Sequence, residues 1–234
     1  MHQAIHSPQA ALAATGDRYR SLRRLGDLAL TLLLILLASS RGLALVEGAR
    51  DGDWLAGIHQ AVAGLGLLIM AGLVLMRRPA VATRPGLMPK LIALVGSWMA
   101  IPLVLLPLTW RPDWMLIGST AMLFVGDIFV IWALLTLRYS FSVFPEARRL
   151  IRHGPYQLVR HPLYAAYIVT YISLALTRFS ALALLFATIG IAGELLRAGQ
   201  EERVLRATFP EYATYAKKTP AFFPRPSGIR SSRP

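Results

Sequence analysis

The sequence predicts an all-α integral membrane protein with about six transmembrane helices. Its composition is the first reason: 55% of the 234 residues are apolar, only 16% are charged, and the mean hydropathy is +0.51. A soluble domain usually carries about 25% charged residues. The second reason is that the apolar residues form runs long enough to cross a hydrocarbon core of about 30 Å.

The apolar runs place the expected helices along the chain. Four long runs cover about 25–46, 54–76, 90–110 and 114–137, and Pro102 and Pro107 are expected to kink the third. The two remaining runs, 163–177 and 180–197, are separated only by Arg178 and Phe179. Since the first of these reaches only about 22 Å as a helix, we expect the pair to form a short helical hairpin.

The basic residues indicate the orientation of the helices. Lys and Arg number 25 against 12 Asp and Glu, and all but four of them fall on one side of the six-helix plan. The exceptions are Arg41, Arg50, Arg111 and Arg178. Because loops rich in Lys and Arg stay in the cytoplasm, we expect both termini inside, in a bacterial inner membrane. The charges flank apolar runs rather than cover one solvated face, so no nucleic-acid partner is expected.

Several kinds of site are excluded by residue content. The chain has no Cys, and therefore no disulfides, thiolate nucleophiles or Fe–S clusters. His153 and His161 lack the i, i+4 spacing of a helical zinc motif, and no metal site is expected. Residues 1–26 lack the apolar core of a cleaved signal peptide, and 1–24 are expected to form a cytoplasmic N-terminal segment.

Polar residues are concentrated in two segments that flank the expected hairpin. One is RYSFSVFPEARRLIRHGPYQLVRHP at 138–162, and the other is ELLRAGQEERVLRATFPEYATY at 194–215. Because the ends of a short hairpin lie together, His161 and Glu201 should be neighbours despite their separation in sequence. The two segments therefore predict a single polar site at one end of the helices.

Helical spacing refines this site. Glu194, Arg197 and Glu201 fall on one helix face, so both acids can pair through Arg197. Glu202 lies about 100° around the helix and can reach Arg206 at i+4. An ordinary solvated helix end with ion pairs would show the same charge pattern, so both interpretations stay open at this point.

Glu194 and Asp127 lie inside apolar runs, where an ionisable side chain is costly unless it is paired or faces a polar cavity. The position of Glu194 weakens the interpretation as a solvated helix end. Asp127, in the fourth run, has no partner that the sequence reveals. Asp127 can be a helix-packing residue, a site residue or a protonated carboxyl.

The two polar segments together resemble the isoprenylcysteine carboxyl methyltransferase family, which is related to membrane phospholipid N-methyltransferases. The matching elements are GPY at 154–156, RHPLY at 160–164, EERVL at 201–205 and FPEYATY at 209–215. Their order around a short apolar hairpin makes the resemblance specific. It covers roughly 138–224, which is expected to be a methyltransferase core between a four-helix region at 25–137 and a flexible tail at 225–234.

The resemblance implies S-adenosylmethionine as cofactor, with an active site facing the cytoplasm and a lipid-soluble methyl acceptor entering from the bilayer. The implied cofactor residues are Gly154, Tyr156, His161, Pro162 and Tyr164 on one wall and Arg197, Glu201 and Glu202 on the other. Glu201 can take the ammonium or ribose hydroxyls of the cofactor, and Arg197 can hold its carboxylate or orient Glu201. These two are the predicted catalytic residues. The ring of Tyr156, Tyr164 or Tyr167 can stabilise the sulfonium.

Two other functions remain open. One is an NADPH-dependent membrane reductase of related fold, although an acidic helix is a poor partner for a 2′-phosphate. The other is a small-solute transporter, suggested by six helices with Asp127 and Glu194 inside the runs, although matched broken helices are not evident. The acceptor, an isoprenylcysteine-like carboxylate or a lipid head group, and the oligomeric state are left undetermined.

Overall fold

A computed structural model describes residues 8–52, 54–107 and 112–224. The predicted tail at 225–234 and residues 1–7 of the N-terminal segment lie outside the described residues. The helices are α1 (Pro8–Arg50), α2 (Trp54–Met76), α3 (Leu87–Trp98), α4 (Ala100–Leu105), α5 (Asp113–Leu137), α6 (Pro162–Thr177), α7 (Ala181–Thr208) and α8 (Tyr212–Lys218). Two strands of two residues each, β1 (Ala82–Thr83) and β2 (Glu146–Ala147), complete the elements with two 3₁₀ turns at Arg138–Ser140 and Gly154–Gln157.

Within the described residues, five helical segments are long and apolar enough to cross a membrane: Arg24–Arg50, Gly57–Met76, Leu87–Leu105, Asp113–Ser140 and Ala181–Thr208. The shorter α6 is the sixth apolar helix. Large leucines point outward along the long helices, such as Leu36 and Leu43 on α1. Burying such side chains in lipid is favourable, so these faces suit an integral membrane protein.

The third apolar run is broken where proline chemistry requires it. Helix α3 ends at Trp98 and α4 begins at Ala100. Pro102 lacks an N–H and its ring clashes with the carbonyl four residues earlier, at Trp98. Pro107 follows the end of α4 at Leu105 and therefore kinks no helix, contrary to the expectation.

The short hairpin forms as α6 and α7, with α6 packed between α5 and α7. The end of α6 is tied to the helices around it: the Thr177 hydroxyl donates to Ser119 Oγ over 3.0 Å, and Arg178 donates to the Leu106 carbonyl. Helix α7 continues 11 residues beyond the predicted apolar run, to Thr208. It stops there because Phe209 precedes a proline and adopts an extended backbone.

Helices α3 and α7 cross at two glycines. A Cβ on Gly193 would lie 2.7 Å from the Gly96 Cα, so the two backbones are in direct contact. A Cβ on Gly96 would lie 2.8 Å from Arg197 Cδ. The Tyr171 hydroxyl on α6 donates to the Gly96 carbonyl at the same crossing. This crossing therefore buries the segment of α7 that carries Glu194 and Arg197.

The sequence predicts an all-α fold, and the structure is mostly helical. It also contains a short antiparallel ribbon formed by β1 and β2. Ala82 pairs with Ala147 and Thr83 with Glu146. The Arg148 Nε donates to the Arg78 carbonyl over 2.6 Å beside this ribbon. The ribbon joins the α2–α3 loop to the segment before α6. We call this end of the helices, formed by residues 77–86, 138–161 and 202–224, the loop end.

Candidate active site

The loop before α6 and the far half of α7 meet through the Glu202 carboxylate. His161 Nε2 lies 3.1 Å from Glu202 Oε1, and Arg160 NH2 lies 2.7 Å from the same oxygen. Arg206 donates to Glu202 Oε2 over 2.8 Å, which is the predicted i+4 pair. Both oxygens of Glu202 are thus occupied by side chains of the protein. The carboxylate acts as a clamp between the two segments.

The same clamp holds the segment after α8. Arg160 donates through NH1 to the Ala216 carbonyl over 2.7 Å, and its backbone N–H donates to the Pro220 carbonyl. The His161 N–H donates to the Ala221 carbonyl over 3.0 Å, and the Phe222 ring lies 5.5 Å from the imidazole. Residues 160 and 161 therefore organise three chain segments at once.

Glu201 is held differently from its neighbour. The Tyr164 hydroxyl donates to Glu201 Oε2 over 2.7 Å, and the carboxylate is half-buried. Glu201 lines two adjacent cavities of about 40 Å³ each, which we call the loop cavities. The loop cavities share Leu137, Ser140, Glu146, Tyr156, Arg160 and Glu201. Of the two acids that line both loop cavities, Glu146 is bound by Ser142 and Arg148, so Glu201 is the better placed of the two to meet a ligand there.

One of the loop cavities is lined by a hydroxyl that has no hydrogen-bond partner among the described residues. Tyr212 is 1% exposed, lines one loop cavity and has no hydrogen-bond partner for its hydroxyl among the described residues. Burial, with the negative charge of Glu202, holds the Tyr212 pKa above its usual value, so the hydroxyl stays a donor. Together with Glu201, it offers a donor and an acceptor to a polar ligand.

These groups fit the chemistry of an amino-acid nucleoside such as S-adenosylmethionine. The loop cavities hold little more than a water each, because a water occupies about 30 Å³. A nucleoside therefore needs more room than the loop cavities have in this arrangement.

The glycine and tyrosine of the GPY element have structural roles. Gly154 has a φ of +60°, and a Cβ there would lie 2.9 Å from Thr136 Oγ1, so the turn requires glycine. The Tyr156 carbonyl accepts from the Tyr215 hydroxyl over 2.6 Å. Burial raises the pKa of Tyr156 well above its usual value. Pro162 is buried at the first position of α6, where its missing N–H costs nothing.

Helical spacing allowed Arg197 to pair with both Glu194 and Glu201, but in the structure it pairs with Glu194 and not with Glu201. Its NH1 donates to both oxygens of Glu194 at 2.9 and 2.7 Å, and its NH2 donates to the Val143 carbonyl at 3.0 Å. The glycine crossing buries Glu194 completely, and a buried carboxylate requires the nearest cation. Among the described residues, Arg197 contacts the lining of the loop cavities through Tyr164, whose ring lies 4.9 Å from the guanidinium.

A larger apolar cavity begins beside Arg197. Its volume is about 390 Å³, and its walls come from α1, α2, α3, α4 and Tyr167. A second cavity of about 180 Å³, the branch cavity, shares Arg41, Ser97 and Tyr167 with it and is also lined by Glu194. The candidate site is therefore bipartite, with polar loop cavities on one side of Tyr164 and Arg197 and an apolar cavity on the other.

A family model described as "Isoprenylcysteine carboxyl methyltransferase (ICMT) family" matches residues 119–207. The chain is 34% identical over 151 residues to the nickel-cobalt-cadmium resistance protein NccN of Alcaligenes xylosoxydans xylosoxydans, a match that spans 58% of this chain and 67% of the relative. The chain belongs to the isoprenylcysteine carboxyl methyltransferase family. It is also 43% identical over 86 residues to the cobalt-zinc-cadmium resistance protein CzcN of Cupriavidus metallidurans, spanning 35% of this chain and 38% of that relative.

Membership of the isoprenylcysteine carboxyl methyltransferase family confirms the resemblance found in the sequence. The matched residues run from α5 to the end of α7 and include the RHP loop, the hairpin and the acidic pair. The family suggests a membrane methyltransferase, and the apolar helices agree with an integral membrane protein.

Sequence reasoning missed an ion pair between two apolar helices of this family member. The distance from His59 Nε2 on α2 to Asp127 Oδ2 on α5 is 3.2 Å. Asp127 therefore has a partner, and it also lines the branch cavity. The signal for the pair was two ionisable residues in separate apolar runs, but no spacing rule connects residues on different helices.

We expect His161→Ala to destabilise the loop end of the protein. The variant loses the contact to Glu202 and the ring contacts to Tyr164 and Phe222, which we expect to cost about 1–3 kcal/mol and to weaken binding of S-adenosylmethionine. Thermal unfolding in lipid nanodiscs measures the first effect and calorimetry the second. The exposed His153→Ala is the matched control. Unchanged stability of the His161 variant would show that the His161–Glu202 contact does not hold the loop before α6 against α7.

Proposed function

We propose that this protein transfers a methyl group from S-adenosylmethionine to an amphiphilic acceptor embedded in the membrane. The observation that carries the proposal is the position of Tyr164. Its hydroxyl contacts Glu201 in the loop cavities, and its ring contacts Arg197, which borders the apolar cavity. A donor in the loop cavities and an acceptor in the apolar cavity would meet beside this residue.

The loop cavities are the proposed donor site. Glu201 would accept hydrogen bonds from the ammonium or ribose hydroxyls of the donor, and Tyr212 would donate to it. Gly154 and Pro162 shape the turn, and Tyr156 lines both cavities. His161 and Glu202 would hold the site in shape rather than contact the donor, since their side chains are bound to each other.

When bound, the donor supplies an electrophilic methyl group on a sulfonium. Displacement at that carbon needs a nucleophile in line and close, in a site where water does not solvate it. The Tyr164 ring has the geometry of a cation–π partner, because it already contacts a guanidinium. Tyr164 and Tyr156 are therefore the proposed sulfonium neighbours. Tyr167 borders the apolar cavity and is assigned to the acceptor side.

The apolar cavity is the proposed acceptor site. Its walls match an acceptor that partitions into the bilayer, either an isoprenylcysteine-like carboxylate or a lipid head group with its chain. Arg197 stands at the donor-side end of this cavity, and its Nε has no partner among the described residues. The excess of Lys and Arg at the loop end supports a site that faces the cytoplasm of a bacterial cell.

The names of the two relatives refer to metal resistance and specify no reaction. Methylation of an envelope amphiphile is compatible with such a role. The acceptor of this chain is therefore part of the proposal and is left to experiment.

A methyl-transfer assay tests the proposal. Purified protein in nanodiscs is incubated with methyl-labelled S-adenosylmethionine and either bacterial lipid extract or S-alkyl-N-acetylcysteines, and label is followed into the organic phase. We expect transfer that is lost in Glu201→Gln. Thermal stabilisation by NADPH but not by S-adenosylmethionine would overturn the proposal in favour of a reductase. Solute flux in proteoliposomes that survives both Glu201→Gln and Arg197→Met would favour a transporter.

A further inference from the structure

Arg41 is an isolated charge within the membrane-spanning part of α1. It is the only Asp, Glu, Lys or Arg between Asp27 and Glu47, and it precedes Glu47 by six residues, or about 9 Å along the helix axis. The side chain is half-buried. A guanidinium at this depth is costly unless a counter-ion, water or a polar ligand solvates it. The groups around Arg41 therefore decide what it can bind.

The Arg41 side chain is held in place where α1 crosses α2. A Cβ on Gly64 would lie 3.3 Å from the Arg41 Cβ and 3.7 Å from the Ala38 carbonyl oxygen, so the two helices are in close contact there. One turn earlier on α2, the Gln60 amide oxygen accepts a hydrogen bond from Arg41 NH1 over 3.2 Å. The stem and one nitrogen of Arg41 are thus held against α2, which orients the guanidinium before any ligand binds.

The partner that holds Arg41 is neutral, so the guanidinium has no direct counter-ion. Among the described residues, no carboxylate lies within 4.0 Å of it. The two acids that line the branch cavity with Arg41 have other partners: Asp127 Oδ2 lies 3.2 Å from His59 Nε2, and Glu194 accepts two hydrogen bonds from Arg197. Arg41 is therefore available to an anion from outside the protein.

Arg41 lines both the apolar cavity and the branch cavity, and it therefore lies where the two meet. Ser97 and Tyr167 line both cavities as well and carry hydroxyl groups. On α4, Ile101 and Leu105 line the apolar cavity and are 38% and 77% exposed, so this cavity reaches the lipid-facing surface. An amphiphile with its hydrocarbon in the apolar cavity and its polar group at the junction would place that group beside Arg41.

We propose that Arg41 is an anion-binding residue within the membrane-spanning helices and selects acceptors that carry one anionic group, a carboxylate or a phosphodiester. The anion contacts the Arg41 nitrogens that Gln60 does not occupy, and the hydrocarbon lies in the apolar cavity. Charge-assisted hydrogen bonds from a guanidinium to such groups are strong, and they strengthen where water is scarce. The inference rests on the proposed function only in calling this ligand the methyl acceptor, because binding itself requires no methyl transfer.

The test compares head groups on a single dodecyl chain. N-acetyl-S-dodecylcysteine and dodecyl methyl phosphate are monoanions near neutral pH, and each is compared with its neutral methyl ester. Each compound is added at equal mole fraction in the lipid of phosphatidylcholine nanodiscs that contain the protein, without S-adenosylmethionine, and thermal stabilisation reports binding. For the wild type we expect at least one anion to bind about 10- to 100-fold more tightly than its ester, as for hydrogen bonds to a charged group. The anion that shows the larger difference identifies the head group.

Two substitutions isolate the charge of Arg41. Arg41→Gln removes the guanidinium and should abolish the preference for anions. Gln60→Glu keeps the guanidinium but places a carboxylate at the position that contacts Arg41 NH1, so it should also abolish the preference by supplying the counter-ion from within the protein. The matched control is Arg50→Gln, because Arg50 is exposed on the same helix and lines neither cavity. We expect this control to keep the wild-type preference.

A cationic head group is the competing occupant, because Asp127 also lines the branch cavity. Dodecylamine tests it under the same conditions. We expect it to bind the wild type no more tightly than the neutral esters, since it brings a like charge to Arg41. Tighter binding of dodecylamine than of either anion would assign the junction to a cation and overturn the inference.

The remaining outcomes separate this inference from the proposed function. Equal binding of both anions and their esters by the wild type overturns the role of Arg41, even when methyl transfer is observed. A preference that persists in either Arg41→Gln or Gln60→Glu also overturns it, because the anion is then held elsewhere. A preference that both variants lose, with no label transferred in the methyl-transfer assay, upholds the binding site and rejects the reaction. If Arg41→Gln does not fold, the Gln60→Glu result decides alone.

Discussion

Replacing Glu201 with Gln is expected to weaken S-adenosylmethionine binding by about 10- to 100-fold, because hydrogen bonds to a charged group contribute about 1.5–3 kcal/mol each. Glutamine keeps the size of the side chain but loses the charge that faces the loop cavities. Tyr164 can still donate to the amide oxygen, so the local packing is preserved. Calorimetry on the protein in nanodiscs measures the affinity, and circular dichroism confirms that the helices are retained.

Two controls make the Glu201 result specific. Glu211→Gln removes an exposed acid from the same end of the protein and should leave the affinity unchanged. Tyr164→Phe removes the partner of Glu201 but not its charge, and should reduce affinity by less than Glu201→Gln. If Glu201→Gln binds the donor as tightly as the wild type, Glu201 has no role in donor binding and the loop cavities are not the donor site.

Replacing Arg197 with Met is expected to destabilise the protein by about 3–5 kcal/mol, because it leaves Glu194 buried without a counter-ion. The glycine crossing of α3 and α7 prevents the carboxylate from reaching solvent. Methionine fills most of the volume of the arginine chain, so the loss reports charge rather than a cavity. The Val143 carbonyl also loses its donor. The unfolding midpoint in nanodiscs measures the effect.

A second substitution tests the cause of this loss. The double variant Glu194→Gln, Arg197→Met carries no buried charge at this position and should recover most of the stability while methyl transfer stays absent. The exposed Arg206 on the same helix provides the comparison: Arg206→Ala removes one of several partners of Glu202 and should change stability by about 1 kcal/mol or less. A single Arg197 variant as stable as the double variant would show that the two charges are not coupled.

The positions of the helices could be predicted from hydropathy. Residues 114–137 were expected as a span, and α5 covers Asp113–Leu137. The predicted end of the last apolar run does not match the end of α7, because the helix continues past residue 197 into Glu201, Glu202 and Arg206. Apolar content marks where a helix contacts lipid, whereas hydrogen bonding and i, i+4 pairs allow a helix to continue beyond it.

The site could be predicted only in outline. The contact between the RHP loop and the acidic pair was expected from the short hairpin, and His161 lies 3.1 Å from Glu202 as a result. The partner of Arg197 could not be predicted, because Glu194 and Glu201 are both within helical reach and burial at the glycine crossing decides between them. The His59–Asp127 pair joins α2 and α5, and its formation depends on how those helices pack.

The amino-acid sequence by itself determined the membrane environment, the number of apolar helices and the family, since these depend on composition, run length and local motifs. The tertiary structure decided which charges are occupied and which remain available to a ligand. Glu202 and Arg197 are bound by neighbours, whereas Glu201 and the Tyr212 hydroxyl face the loop cavities. The reason is physical: in a low-dielectric interior, the distance to the nearest opposite charge sets the state of a polar group, and that distance exists only once the helices are packed.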